Sequence, residues 1–290
     1  MKVRRILKSS LPNLSRTEPW RDNSRSIYCD GEYAYVPVLD GLPYDLEIPD
    51  RTPYKGPGYQ RLGDTLLLHG AAPTADQLDD LIAWEHPSCI LHLQEHAGVM
   101  RLPETAVLYG KPHDVSFCEA GIFYTLNPAE IMFSQGNRRE KMRLRSLVRS
   151  GEKVADMFAG IGYFTLNAAL KGAEVHAMEI NRVSFMYLIK NLHDNAVHRS
   201  VHAECGDCRD LLSGTYDRIL MGHFDAIDFL PHALAHAAPG TILHVHGVGD
   251  RSDAVAAAVE GAGFRYSLSE HKVKKYASRT WHCVWDVELK

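Results

Sequence analysis

Residues 156–164 read DMFAGIGYF, and an acidic residue follows at Glu179. An apolar run, Val154 to Phe158, ends in Ala159-Gly160-Ile161-Gly162, and helical sequence resumes from Tyr163 to Leu170. Glycines without a Cβ let the backbone turn sharply and approach a ligand. The pattern is therefore strand, glycine turn, helix. A second strand-like run, Glu174 to Met178, brings Glu179 to the carboxyl edge of a sheet. A carboxylate there accepts hydrogen bonds from both hydroxyls of a ribose. Such an arrangement serves either a dinucleotide or S-adenosylmethionine.

The third glycine of the dinucleotide fingerprint would fall at 165, where the chain carries Thr165 beside Phe164. A pyrophosphate then lacks the close helix-on-strand packing it relies on. S-adenosylmethionine has no phosphate to cradle, so one G-x-G with an acidic strand end suffices, and the motif favours it. A lone G-x-G is also compatible with an ordinary tight turn that holds nothing. Glu179 tips the reading toward a ligand site.

Working outward, strand-like and helix-like segments alternate from about Glu152 to the end, as in an open parallel sheet. Strands are expected at 152–158, 173–179, 199–204, 216–221 and 241–246, with helices at 163–171, 181–194, 227–237 and 252–261 and a short turn near Arg209. Two extended segments, 265–273 and 280–288, lack a helix between them and should pair as a hairpin. The predicted fold class is α/β, a Rossmann-like methyltransferase fold whose parallel sheet ends in an antiparallel strand. Residues 1–130 differ in texture, with short extended runs at 33–38, 65–69 and 89–93 and one helix at 74–84. They predict a smaller α+β domain, joined near 127–137 to a catalytic domain over 131–290.

The chain has 290 residues, 45% hydrophobic and 23% charged, enough for one large or two moderate cores. No apolar run approaches a membrane span and the start lacks an apolar signal core, so a cytoplasmic enzyme is expected. Six cysteines show no regular framework, and Cys205-Gly206-Asp207-Cys208 has no second pair to make a metal or redox site. His244-Val245-His246 places two histidines on one strand face, again without a second cluster, and no metal is expected. A net charge of −4 argues against a generally polycationic nucleic-acid binder. The basic residues are nonetheless clustered: Arg138, Arg139, Lys141, Arg143, Arg145 and Arg149 against Glu140, then Lys272, Lys274, Lys275 and Arg279. A solvated face is the ordinary fate of such runs, but two of them on an acidic chain point to phosphate contacts.

Longer blocks carry a resemblance: YTLNPAEIMFSQGN at 124–137, DMFAGIGYFTL at 156–166, the helix after Glu179 with Asn191 and Asn195, GDCRD at 206–210, RILMGHFDAIDFLPHAL at 218–234, ILHVHG at 242–247 and VKKYASRTWHCVWDVEL at 273–289. Together they resemble the archaeal-type wybutosine-pathway enzymes that move a 3-amino-3-carboxypropyl group from S-adenosylmethionine to 4-demethylwyosine at position 37 of tRNA-Phe. Their relatives are the tRNA guanosine-37 N1-methyltransferases. In those, an Asn-Leu-Pro-type tetrad follows the fourth strand; here the positions read Met221-Gly222-His223-Phe224. The departure favours aminocarboxypropyl transfer over N1-methylation. A non-catalytic RNA-binding module on the same fold is the alternative of another class.

What the resemblance implies for single residues is an expectation. Ser134, Glu179, Asp207 and Cys208 would contact S-adenosylmethionine, Glu179 on the ribose and Asp207 with Cys208 around the adenine. Lys141 stands where the family has an arginine suited to the cofactor carboxylate, and it supplies the charge without the planar grip of a guanidinium. Gly160 and Gly162 shape the turn, with Asp156 ahead of them among the cofactor residues. Arg138, Arg139, Arg143, Arg145, Lys274 and Lys275 would hold the anticodon loop of the tRNA. His223 is a candidate general base by its place after the fourth strand, a structural or base-stacking role being the stronger reading.

Overall fold

The computed structural model describes residues 1–25, 27–30, 32–48, 54–97, 102–133 and 135–290. They form two compact units, one of Met1–Gly56 with Thr74–His86, the other of Pro57–Pro73 with Pro87–Lys290. A boundary near 130 was expected. The division instead falls three times within that region, because residues 57–73 and 87–130 build strands packed with the C-terminal part.

In the first unit, β1 (Lys2–Leu7) pairs antiparallel with β3 (Tyr33–Pro37) and with the short β4 (Leu46–Glu47), and β2 (Tyr28–Asp30) lies on the far side of β3. The second unit begins with β5 (Tyr59–Leu62) and β6 (Thr65–Leu68). The chain then returns to the first unit for α1 (Ala75–Glu85), whose Thr74 and Gln77 form a reciprocal capping box. It leaves again through β7 (Cys89–Ala97) and β8 (Leu102–Gly110), which extend the β5-β6 pair to four strands. A hairpin, β9 (Val115–Glu119) and β10 (Ile122–Leu126), follows.

After a segment without regular structure and a 3-10 turn at Gln135–Asn137 comes α2 (Arg138–Leu147). Next are β11 (Lys153–Asp156), α3 (Thr165–Ala169), β12 (Glu174–Glu179), α4 (Arg182–Asp194), β13 (Val201–Cys205), α5 (Cys208–Leu211) and β14 (Arg218–Met221). The chain closes with α6 (Ala226–Ala235), β15 (Ile242–Val248), α7 (Ser252–Gly261), β16 (Tyr266–Ala277) and β17 (Thr280–Leu289). The seven-stranded sheet has the order β13-β12-β11-β14-β15-β17-β16. Its first five strands are parallel, and β17 joins β15 antiparallel with β16 on its outer side, the expected hairpin.

Alternation along the buried strands sends successive residues to opposite faces. Val154 and Leu220 enter one apolar cluster with α2, α3, α4 and the β9-β10 hairpin, whereas Ala155, Ile219 and Met221 enter the other with α6, α7 and Trp285. The hairpin is stitched to α4 by two asparagines. The Asn191 amide accepts from Thr125 N–H at 2.7 Å and donates to the carbonyls of Thr125 and Ile161, while Asn195 exchanges bonds with both backbone groups of Phe123. Each side chain does what a neighbouring strand would do. These bonds are why residues 115–126 belong with the C-terminal part and not with an N-terminal domain.

Candidate active site

At the end of β11 the backbone leaves the sheet while still tied to it, Met157 N–H donating to Leu220 O and Ala159 N–H to Met178 O. Gly160 adopts φ +56, and a Cβ there would lie 2.6 Å from the Tyr163 ring. Only glycine fits that turn without strain. With the turn so placed, Gly160 N–H donates to one Glu179 carboxylate oxygen at 2.7 Å and Asn181 N–H to the other at 2.7 Å. Burial pushes the Glu179 carboxyl up, and the two backbone donors counter it. Each oxygen keeps lone pairs for a further donor, as a ribose diol requires.

These residues line a cavity of about 690 Å³ that lies wholly within the second unit, a volume suited to a nucleoside-sized ligand. Gly160, Glu179, Asp207, Cys208, Lys141, His223, Lys274 and Lys275 all reach it. Half-exposed Ile180 offers an apolar surface beside Glu179. Gly222 also lines the cavity, where a Cβ would meet the Phe164 ring at 2.9 Å. Burial pushes the Cys208 thiol up to about 12, so it is a neutral wall. Asp207 caps α5 and holds Arg209 through both carboxylate oxygens, and this keeps its carboxyl below the usual range.

Other expectations need correction. Asp156 does not line the cavity. It is fully buried, accepts hydrogen bonds from Thr165 and Phe158, and burial pushes it up to about 6, so it braces the turn from behind. Gly162, at φ +103, lies off the cavity too; its missing Cβ makes room for Leu166 and Leu188. Ser134 lies outside the described residues. Lys141 is buried beneath Tyr124, Phe133 and Tyr163 and paired with Glu119 of the β9-β10 hairpin. Burial pulls its ammonium down, and Glu119 opposes that.

Arg143 does not present a free guanidinium. It grips Glu140 and Asp286 with two hydrogen bonds each, within a buried chain running on through His244 and Arg218 to Glu152. Arg145 donates to the Ala120 carbonyl. Arg138 and Arg139 are exposed. His223 stacks on Phe158, with ring centroids 5.3 Å apart, and its Nδ1 accepts from Asp225 N–H at 3.2 Å. The Nδ1 is thus engaged by a backbone donor and the ring face by Phe158. Its place after the fourth strand made it a candidate base, with stacking the stronger reading, and the ring's position on Phe158 is compatible with stacking.

Sequence reading missed several lining residues. His282, bonded to His246 at 3.0 Å and edge-on to Phe224, stands on the wall formed by β17. It belongs to the stretch TWHCVW, in which His282 to Trp285 are all buried. Gln60, Leu67 and His69 arrive from the β5-β6 pair, and nothing local in the sequence marks them. Asn137, at the start of α2, was hidden among the arginines. Away from the cavity, His176, His202 and Glu204 converge on neighbouring strands with their ligating atoms within 4.8 Å. Glu204 already bonds both rings, and Tyr216 takes the other nitrogen of His176.

Residues 116–269 match the model described as the TRM5/TYW2 methyltransferase domain. The tRNA(Phe) (4-demethylwyosine(37)-C(7)) aminocarboxypropyltransferase of Pyrococcus horikoshii is 33% identical over 79% of this chain and 88% of its own. The protein of the same name from Methanocaldococcus jannaschii is 30% identical over 80% of this chain and 97% of its own. Among solved structures, P. horikoshii TYW2 in complex with MeSAdo superposes with a TM-score of 0.71 at 29% identity, covering 81% of this chain and 92% of that one. The match spans the glycine turn, the Glu179 strand and the hairpin-binding asparagines alike: the chain belongs to the TRM5/TYW2 methyltransferase family.

Proposed function

We propose that this protein transfers the 3-amino-3-carboxypropyl group of S-adenosylmethionine to C7 of 4-demethylwyosine at position 37 of tRNA(Phe). The observation that carries this reading is the agreement, over four fifths of the chain, with two archaeal relatives of that name, on a cavity whose residues fit the donor. Glu179, held by two backbone donors, receives the ribose hydroxyls, Ile180 and Cys208 flank the adenine, and Gly160 lets the backbone come close. Lys141 supplies the cation facing the donor's carboxylate. The tetrad in which methylating relatives carry an asparagine reads Met221-Gly222-His223-Phe224 here and holds no side-chain amide.

When bound, the donor supplies a sulfonium that makes three neighbouring carbons electrophilic. What the chain must do is aim: the acceptor carbon has to sit about 3–3.5 Å from the γ-carbon and in line with the departing sulfur. Phe158, stacked under His223, and Phe224, edge-on to His282 and Tyr276, give the aromatic surfaces on which an extruded base rests. Lys274 and Lys275 line the same cavity from β16 and, with Arg138 and Arg139, supply cations for the anticodon-loop phosphates. No described residue is required as a metal ligand for this displacement.

The test is reaction of precursor tRNA with donor labelled separately in the methyl and carboxyl groups. Carboxyl label alone should enter position 37, with 5′-methylthioadenosine released. Methyl label alone would overturn this reading, and methyl label entering tRNA that still carries guanosine at 37 would replace it with N1-methylation.

A further inference from the structure

Asn137 occupies the N-cap of α2, where an asparagine usually turns its side chain back onto the helix's free N–H groups. It makes no such bond. Its Oδ1 is buried, accepts no hydrogen bond among the described residues, and belongs to a residue that lines the cavity. A buried acceptor without a donor is costly and uncommon in folded proteins. It marks a position where a donor from a ligand completes the set.

One helical turn further on stands Lys141, which also lines the cavity. Residues four apart lie on the same helix face. The first turn of α2 thus offers the cavity an unsatisfied acceptor and, beside it, a buried cation whose burial Glu119 partly offsets. A ligand matching that pair carries an ammonium and a carboxylate on one carbon, which is an α-amino acid head.

We propose that Asn137 binds the α-amino-acid head of the donor's side arm, its Oδ1 accepting a hydrogen bond from the α-ammonium while Lys141 faces the α-carboxylate. This rests on the donor assigned above and deepens it by naming the residue that recognises the ammonium. Two-point capture of the head restricts rotation about the carbon–carbon bonds of the arm. That restriction is what aiming the γ-carbon at an acceptor demands.

Calorimetric titration of the full chain with three probes tests the inference: S-adenosylhomocysteine, its desamino counterpart, and 5′-methylthioadenosine, which has no arm. The wild type should bind S-adenosylhomocysteine about ten-fold or more tighter than the desamino compound, since hydrogen bonds to charged groups have that worth. Asn137→Ala should abolish this difference and leave methylthioadenosine affinity within about two-fold. Asn137→Asp, which keeps an acceptor, should retain the preference for the ammonium. Unfolding midpoints of both variants should lie close to the wild type, because the Oδ1 accepts no bond among the described residues. If Asn137→Ala keeps the full difference, or weakens all three probes equally, the inference is overturned while the donor assignment stands. A wild-type chain that binds none of the three overturns both.

Discussion

Gly160 was legible from its neighbours alone, because a positive-φ turn between an apolar strand and a helix leaves few residue types to choose from. Glu179 was legible from its place at the end of the next strand. Asn137 was not: an asparagine before a basic helix reads as a cap, and only its environment shows the cap unmade. The basic helix misled for a related reason. Charge runs are written in one dimension, whereas Arg143 faces Asp286, which lies 143 residues away in sequence. Reversing Arg138 and Arg139 together to glutamate should therefore weaken tRNA binding, lower its salt slope by about 2, and leave the urea midpoint almost unchanged. Arg143→Glu should instead cost about 3 kcal/mol in urea unfolding, since it leaves Asp286 and Glu140 facing a like charge inside the protein. Gly160→Ala combines left-handed strain with a contact on Tyr163, whose hydroxyl is fixed on the Met132 carbonyl. It should cost about 2 kcal/mol in the same measurement and weaken S-adenosylhomocysteine in calorimetric titration.

Among elements, the five parallel strands and the closing hairpin were readable, since apolar runs of strand length separated by helical periodicity admit few other arrangements. The β7-β8 and β9-β10 hairpins were not recognised, and the domain boundary was misplaced with them. Their allegiance is decided by side-chain amides that reach from α4, and a sequence does not show whom an asparagine bonds. Asn191 is fully buried and ties β10 and the glycine turn to α4 through three bonds. Asn191→Ala strands the Thr125 N–H and two carbonyls. It should lower stability by about 3 kcal/mol, read as a shift of the urea midpoint. Asn195→Ala, at an exposed pair of bonds, should cost about 1 kcal/mol by the same measure.

At the scale of the whole molecule, two buried groups oppose each other in their response to acid. Asp156, pushed up to about 6 by burial, binds its proton more tightly folded than unfolded. Its contribution grows as pH falls from 6 toward the ordinary carboxylate value, and is lost as pH rises through 6. Burial, reinforced by His244 and Arg143, pulls His246 down to about 3. The unfolded imidazole gains a proton near 6.5, so stability is lost below that pH. Each slope is about 1.4 kcal/mol per pH unit, of opposite sign. Urea midpoints of the wild type should therefore vary little between pH 6 and 4, whereas Asp156→Asn should fall steadily across that interval. A flat profile in the variant would count against a neutral His246 in the fold. Below that range Asp286 takes over: burial raises its carboxyl, but His244 and Arg143 hold it well below the ordinary range, so its contribution is present above about 4 and fades with stronger acid.

The chain leaves its first compact unit at Gly56, supplies two strands to the second, comes back for Thr74–His86, and departs for good at Pro87. A nascent polypeptide emerging from the ribosome cannot finish that first unit until residue 86 is out, by which time β5 and β6 are already waiting for partners not yet made. Excising the first 56 residues to obtain a minimal enzyme would leave α1 behind with Leu81, fully buried in the intact protein, stripped of its cover. A clean transplant needs both segments spliced together across the gap between Gly56 and Thr74.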